Sequence, residues 1–132
     1  MKFDHRTASL CALVLLTVAA PSYGADRMRA GQWNGTTVVG DRTFSSSSCL
    51  SRSDADAMNG DSNSIRLYLE TIISPGICKI TDVKAMGHQV IYTASCGSAP
   101  SRVVTASYHG DSFEGSDSTG TKTAAKLVGP CK

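Results

Sequence analysis

Aromatic residues make up only 6% of the chain, which sets a first limit. A small domain with few large side chains buries a modest core, so covalent crosslinks are expected to help hold it. The chain also lacks any run of Lys and Arg and any interleaving of basic and aromatic residues. With a formal net charge of +2 at pH 7, nucleic acid and anionic membrane are not expected partners. No C-x-x-C pair occurs. Its absence argues against a zinc site and against thioredoxin-like redox chemistry, both of which use closely spaced cysteines. Beyond residue 20 no apolar run approaches the roughly twenty residues that a membrane span requires. No metal or cofactor is expected.

What is present starts with "MKFDHRTASLCALVLLTVAAPSYGAD". Lys2 and Arg6 give a positive start, and residues 10–20 form an apolar run too short to cross a bilayer. Ser22 and Gly24 place small residues at −3 and −1 of a cut before Ala25. The pattern reads as a Sec-type signal peptide over residues 1–24, followed by one domain over residues 25–132 that is periplasmic or secreted. Cys11 precedes most of the apolar run, so it is a poor lipoprotein cysteine. Loss of Lys2, Asp4 and Arg6 with the signal lowers the net charge by one.

Cys49, Cys78, Cys96 and Cys131 remain. An even count in an exported chain reads as two disulfides. In "ICKITDVKAMGHQVIYTASC", Val90, Tyr92, Ala94 and Cys96 alternate along the second arm. The first arm slips by one position between Ile80 and Val83. A two-residue turn at Gly87-His88, with Gly in the first position of a type II′ turn, pairs Ala85 with Val90. A bulge near Thr81-Asp82 then sets Ile80 against Ala94 and Cys78 against Cys96, and keeps Asp82 and Lys84 out of the core. The spacing favours a Cys78–Cys96 staple, and elimination leaves Cys49–Cys131.

The rest of the domain reads mainly as strand. Residues 25–30 look like a frayed start. "GQWNGTTVVG" puts Trp33, Thr37 and Val39 on one face, and Asp41-Arg42 turns the chain into the polar strand "TFSSSSCL". Ser51 or Ser53 caps a short helix, with Asp54 and Asp56 as charges near its start. After Gly60, Ser62 or Ser64 caps a second helix that runs to about residue 73, with Ile65, Leu69 and Ile72 on one face and Pro75-Gly76 as its stop. A second hairpin turns at Gly110-Asp111 and sets Tyr108 against Phe113. "TKTAAKLVGPC" is a last strand with Leu127 or Val128 inward. The expected fold is mainly β with a helical insert over about 51–74. It is a curved antiparallel meander of about seven strands, half-open and barrel-like, with two disulfides.

The order "AGQWNGTT", "SSCLSRSDA", "ICKITDVKAMGHQVIYTASC", "YHGDSFEGS" and "VGPCK" resembles a bacterial exported family, domain of unknown function 3617. The likeness spans nearly all of residues 25–132. It rests on the order and spacing of Gly31, Trp33, the cysteines, Gly110 and Gly115 rather than on any one motif. The chain departs from the family pattern in a short segment after the first strand, without a Pro/Met-rich stretch, and in a single Lys126 where a basic pair is common. The resemblance implies a periplasmic or secreted β-rich domain and brings no activity, ligand or catalytic residue with it.

The candidate chemistry is correspondingly thin. "SYHGDS" holds Ser107, His109, Asp111 and Ser112, but a Ser-His-Asp triad is made in space, not along the chain. The preferred reading of these residues is a polar outer face next to a tight turn. His88 and His109 sit at hairpin tips, where solvated turn residues are the plain reading and a metal site with Asp82 or Asp111 is the sharper one. Trp33 is either a core anchor or, with Tyr68 and Tyr92, part of the wall of a concave ligand site. The first expectation is therefore a non-catalytic binding module for a small apolar molecule or an envelope protein. A hydrolase or metal-dependent enzyme using His109, Asp111 and Ser112 is the alternative. A structural or inhibitor-like secreted domain, with an exposed loop over 98–101, is the third.

Overall fold

A computed structural model describes residues 26–132; the signal peptide expected at residues 1–24 lies outside the described residues. The chain enters β1 (Gly31–Val39) and returns in β2 (Arg42–Leu50). Val39 pairs with Arg42, so the turn is Gly40-Asp41, one position earlier than the expected Asp41-Arg42. Gly40 takes φ +60°, a conformation that glycine adopts without a Cβ penalty. The face carrying Trp33 includes Thr37 as expected, but Val39 stands exposed at the hairpin tip.

Helix α1 (Arg52–Met58) starts at Ser51, whose side chain accepts from the Asp54 N–H at 3.2 Å. Helix α2 (Ser62–Tyr68) is capped by Asp61, not by Ser62 or Ser64; its carboxylate accepts from the Ser64 N–H at 2.8 Å. That bond holds the Asp61 carboxyl below its ordinary pKa. The helix continues into a wider π-turn over Leu69–Ile73, closed by the Ser74 N–H on the Leu69 carbonyl. Ile65 and Leu69 are buried, but Ile72 is 54% exposed. The wide turn rotates Ile72 off the face where regular helical spacing would put it.

Four more antiparallel strands and a closing one follow: β3 (Cys78–Met86), β4 (Gln89–Cys96), β5 (Arg102–Tyr108), β6 (Ser112–Asp117) and β7 (Lys122–Gly129). The β3–β4 hairpin carries the expected irregularity. Ile80 pairs with Ala94 and Ala85 with Val90, and the register shifts between Thr81 and Lys84. Asp82 takes φ +54° there, the left-handed conformation that Asp tolerates better than most residues. Asp82 and Lys84 are exposed while Ile80 and Val90 are buried. Tyr108 pairs with Phe113, their ring centroids 5.4 Å apart. In β7 Leu127 packs against the core and Val128 is exposed.

The strand order is β2-β1-β7-β6-β5-β4-β3. The last strand pairs with the first, and the sheet does not close: its two edges are β2 and β3. The segment α1–α2 connects those edges and lays Ala55, Met58, Ile65 and Leu69 onto the sheet's inner face. Glu70 accepts from the Ile80 N–H at 2.9 Å while holding Arg66 at 3.0 Å, so the helical segment also covers part of the β3 edge. Both disulfides form. Cys49–Cys131 has a Cα–Cα distance of 5.4 Å and ties the tail after β7 to the outer strand β2. Cys78–Cys96 crosses the β3–β4 hairpin with a Cα–Cα distance of 4.1 Å.

Residues 26–30 are not a frayed start. Arg27 is 3% exposed, and Met28 bridges to Gly110. The Arg27 guanidinium donates to the carbonyls of Met58 (3.1 Å), Gly60 (3.0 Å) and Gly87 (2.8 Å). Asn59 accepts from the N–H groups of Arg27 and Met28 and donates to the Met28 carbonyl. One cation thus satisfies carbonyls at the end of α1, where positive charge is favoured, and clasps the β3–β4 turn from the same place. Burial lowers the Arg27 pKa, and Tyr108 opposes that shift.

Candidate functional site

The inner face of the central strands carries unusually small side chains. Gly35 pairs with Ala125, and Ala106 with Gly115; Ala94 lies further along the same face and is buried. Close packing needs large side chains on the covering layer to fill the space above such a floor. The helical segment supplies Met58, Leu69 and Tyr68 and leaves a cavity of about 470 Å³. This volume falls within the ordinary range for small-molecule pockets, roughly 300–1,000 Å³.

Trp33, Tyr68 and Tyr92 all line this cavity. Trp33 is 3% exposed, and its indole N–H donates to the Arg29 carbonyl at 2.9 Å, so it belongs to the core and to the cavity wall at once. Its ring lies 6.0 Å from Phe113, which in turn packs against Tyr108. Burial raises the pKa of Tyr68, with the Asp54 charge adding to it. Burial also raises that of Tyr92, with Arg102 opposing and Asp117 assisting. Tyr108 is raised most strongly, again by burial first. At the rim Arg102 pairs with Asp117 at 3.4 Å, and Asp117 also accepts from the Thr119 N–H at 2.8 Å. The wall is therefore mainly apolar, interrupted by serine and threonine residues such as Ser46, Ser116 and Thr123, with neutral phenols and a mutually compensated ion pair at one side.

Tyr108 and Phe113 were not among the ligand candidates read from the sequence. Their cross-strand pairing was, and alternation puts both on the Trp33 side of the sheet. The cavity floor was also missed. Its signal was available as Gly or Ala at the inward positions 35, 94, 106, 115 and 125.

The alternative constellation does not assemble. His109 faces Glu114 at 3.8 Å on the turn between β5 and β6. Among the described residues no hydrogen bond joins the side chains of His109, Asp111 and Ser112. His109 instead donates its backbone N–H to the Ser112 carbonyl, which is the tight turn itself. His88 occupies the β3–β4 turn. Among the described residues no group of three His, Cys, Asp or Glu side chains is placed to hold a metal ion, and no helix is long and apolar enough to cross a membrane.

A family model described as "Protein of unknown function (DUF3617)" matches residues 28–131, and the chain belongs to that family. The matched span begins at the Met28 bridge and ends at Cys131, so it takes in every strand, the helical segment and both disulfides. No curated protein and no solved structure matches the chain.

Proposed function

We propose that residues 1–24 direct export, that the domain works in the periplasm or outside the cell, and that it binds a small, mainly apolar molecule without catalysis. The carrying observation is the cavity on the inner face, walled by Trp33, Tyr68 and Tyr92 over a floor of glycine and alanine. Two disulfides in one small domain support the compartment, because such bonds persist where thiols are kept oxidised.

Trp33 is the chain's one tryptophan, so its emission reports directly on the cavity. An apolar fluorescent probe is expected to saturate the oxidised protein and to quench or shift Trp33 emission. Ala106→Leu, which fills part of the floor, is expected to weaken that binding while the fold persists. Native mass spectrometry of protein purified from the cell envelope is expected to show a bound small molecule. Probe binding that is absent, or unchanged by Ala106→Leu, would sink the reading. A co-purifying protein with an empty cavity would favour the envelope-partner alternative, for which the exposed outer strand β2 offers free backbone groups.

A further inference from the structure

Tyr108 has a chemical oddity that a packed core would not tolerate. Its side chain is 6% exposed and lines the cavity. No hydrogen bond engages its hydroxyl among the described residues. Yet no side-chain nitrogen or oxygen there is both occluded and without a partner, so the hydroxyl borders open space. Tyr108 is also one of the residues that line the cavity. The rest of the residue is held firmly: its ring packs tilted against Phe113, the centroids 5.4 Å apart, and its backbone N–H donates to the His88 carbonyl at 2.8 Å. A phenylalanine would pack there equally well and avoid the cost of placing a hydroxyl in apolar surroundings.

The charges nearby narrow what this hydroxyl can meet. Arg102 and Asp117, which line the same cavity, neutralise each other. Arg27 is committed to three backbone carbonyls. Arg27 acts on Tyr108 through its charge but does not line the cavity; among the lining residues the only charges are Arg102 and Asp117, so a charged ligand head would be desolvated there without a lining counter-charge. Burial keeps the phenol protonated, which makes it a neutral donor.

Resting on the ligand-binding reading above, we propose that Tyr108 is the polar anchor of the cavity and that the ligand is a neutral amphiphile: an apolar body packed against Trp33 and Phe113, with a carbonyl or hydroxyl oxygen accepting from the Tyr108 hydroxyl. A site built to hydrogen-bond an oxygen discriminates against the analogue without it far better than an apolar wall discriminates by size.

The test uses four chains of matched length, decane, 2-decanone, decanoate and decylammonium, titrated into the oxidised domain and followed by Trp33 emission and calorimetry. The ketone is expected to bind about tenfold more tightly than decane, and more tightly than either ion. Tyr108→Phe is expected to bring ketone and decane together while leaving the melting temperature nearly unchanged. Equal binding of ketone and decane by the unmodified protein would overturn the anchor and leave the apolar cavity standing. Tightest binding by decanoate or decylammonium would overturn the neutral head. Failure of all four to bind would overturn the cavity reading itself. The ketone-to-decane ratio in the unmodified protein decides the matter even if the variant folds poorly.

Discussion

Replacing Arg27 by methionine removes a guanidinium while keeping a side chain of similar length to fill its place. The loss falls on three backbone carbonyls at once, those of Met58, Gly60 and Gly87. A hydrogen bond from a charged donor contributes about 1.5–3 kcal/mol net. Water can recover part of this at Gly60 and Gly87, which lie nearer the surface, so the working figure is about 3 kcal/mol in total rather than the full sum. That is a large share of the roughly 5–15 kcal/mol by which such domains are stable, and corresponds to a fall in melting temperature of about 15 °C. Urea unfolding of the oxidised protein is the assay, read from the midpoint. The slope is expected to stay the same, because the surface exposed on unfolding scarcely changes. Arg27→Lys is expected to fall between the two, because one ammonium cannot reach all three carbonyls in the planar fork that arginine provides. A methionine variant with an unchanged midpoint would refute the idea that this cation clasps α1 and the β3–β4 turn together. So would a lysine variant no better than methionine.

Three further outcomes are expected. Replacing Cys49 and Cys131 by serine should cost more than replacing Cys78 and Cys96, about 4.5 against about 3 kcal/mol in the chain-entropy picture, because the bridged positions are 82 and 18 residues apart; a reversed order of urea midpoints would contradict it. Gly31→Ala should cost on the order of 3 kcal/mol, since its Cβ would stand 2.6 Å from the Gly129 carbonyl oxygen at φ +144°. Gly40→Ala, also at positive φ but in open space, should cost about 1 kcal/mol, and equal melting temperatures for the two variants would count against the close approach. Finally, buried Tyr108 and half-buried Tyr68 and Tyr92 bind their protons more tightly in the folded than in the unfolded chain. Their contribution is complete below the unfolded value near pH 10 and is lost as pH rises through the folded values. Urea midpoints should therefore begin to fall above about pH 10, less steeply in Tyr108→Phe; a flat profile to pH 11 would exclude the effect.

Strand pairing proved most legible where a local period was broken. The slip between Ile80 and Val83 placed the bulge, because only a bulge keeps Asp82 and Lys84 in solvent while Cys78 meets Cys96. Gly110-Asp111 fixed the register of Tyr108 against Phe113 in the same way. Features set by tertiary context were harder to read. Nothing local marks Arg27 as buried, because its partners are carbonyls from three distant residues. Ile72 follows helical spacing until a π-turn, stabilised by Ser74, shifts it outward. The pairing of β1 with β7 depends on how the whole sheet curls. The cavity's floor, unlike its aromatic wall, was missed for a related reason: alanine and glycine at inward positions satisfy an alternation pattern as well as leucine would, and the missing volume shows only when the facing layer is in place.

The placement of the first and last strands has a consequence for engineering. Strands β1 and β7 are neighbours, while the edges β2 and β3 are joined by the helical segment. Opening the chain near Gly60 and joining the tail after β7 to the start of β1 would give an uninterrupted up-and-down series from β3 to β2. A circular permutant of this kind keeps every strand neighbour, and the Cys49–Cys131 link already holds the tail close to the first hairpin. The native chain is thus a rotated version of a simpler wiring, with its helical lid spliced between the two open edges.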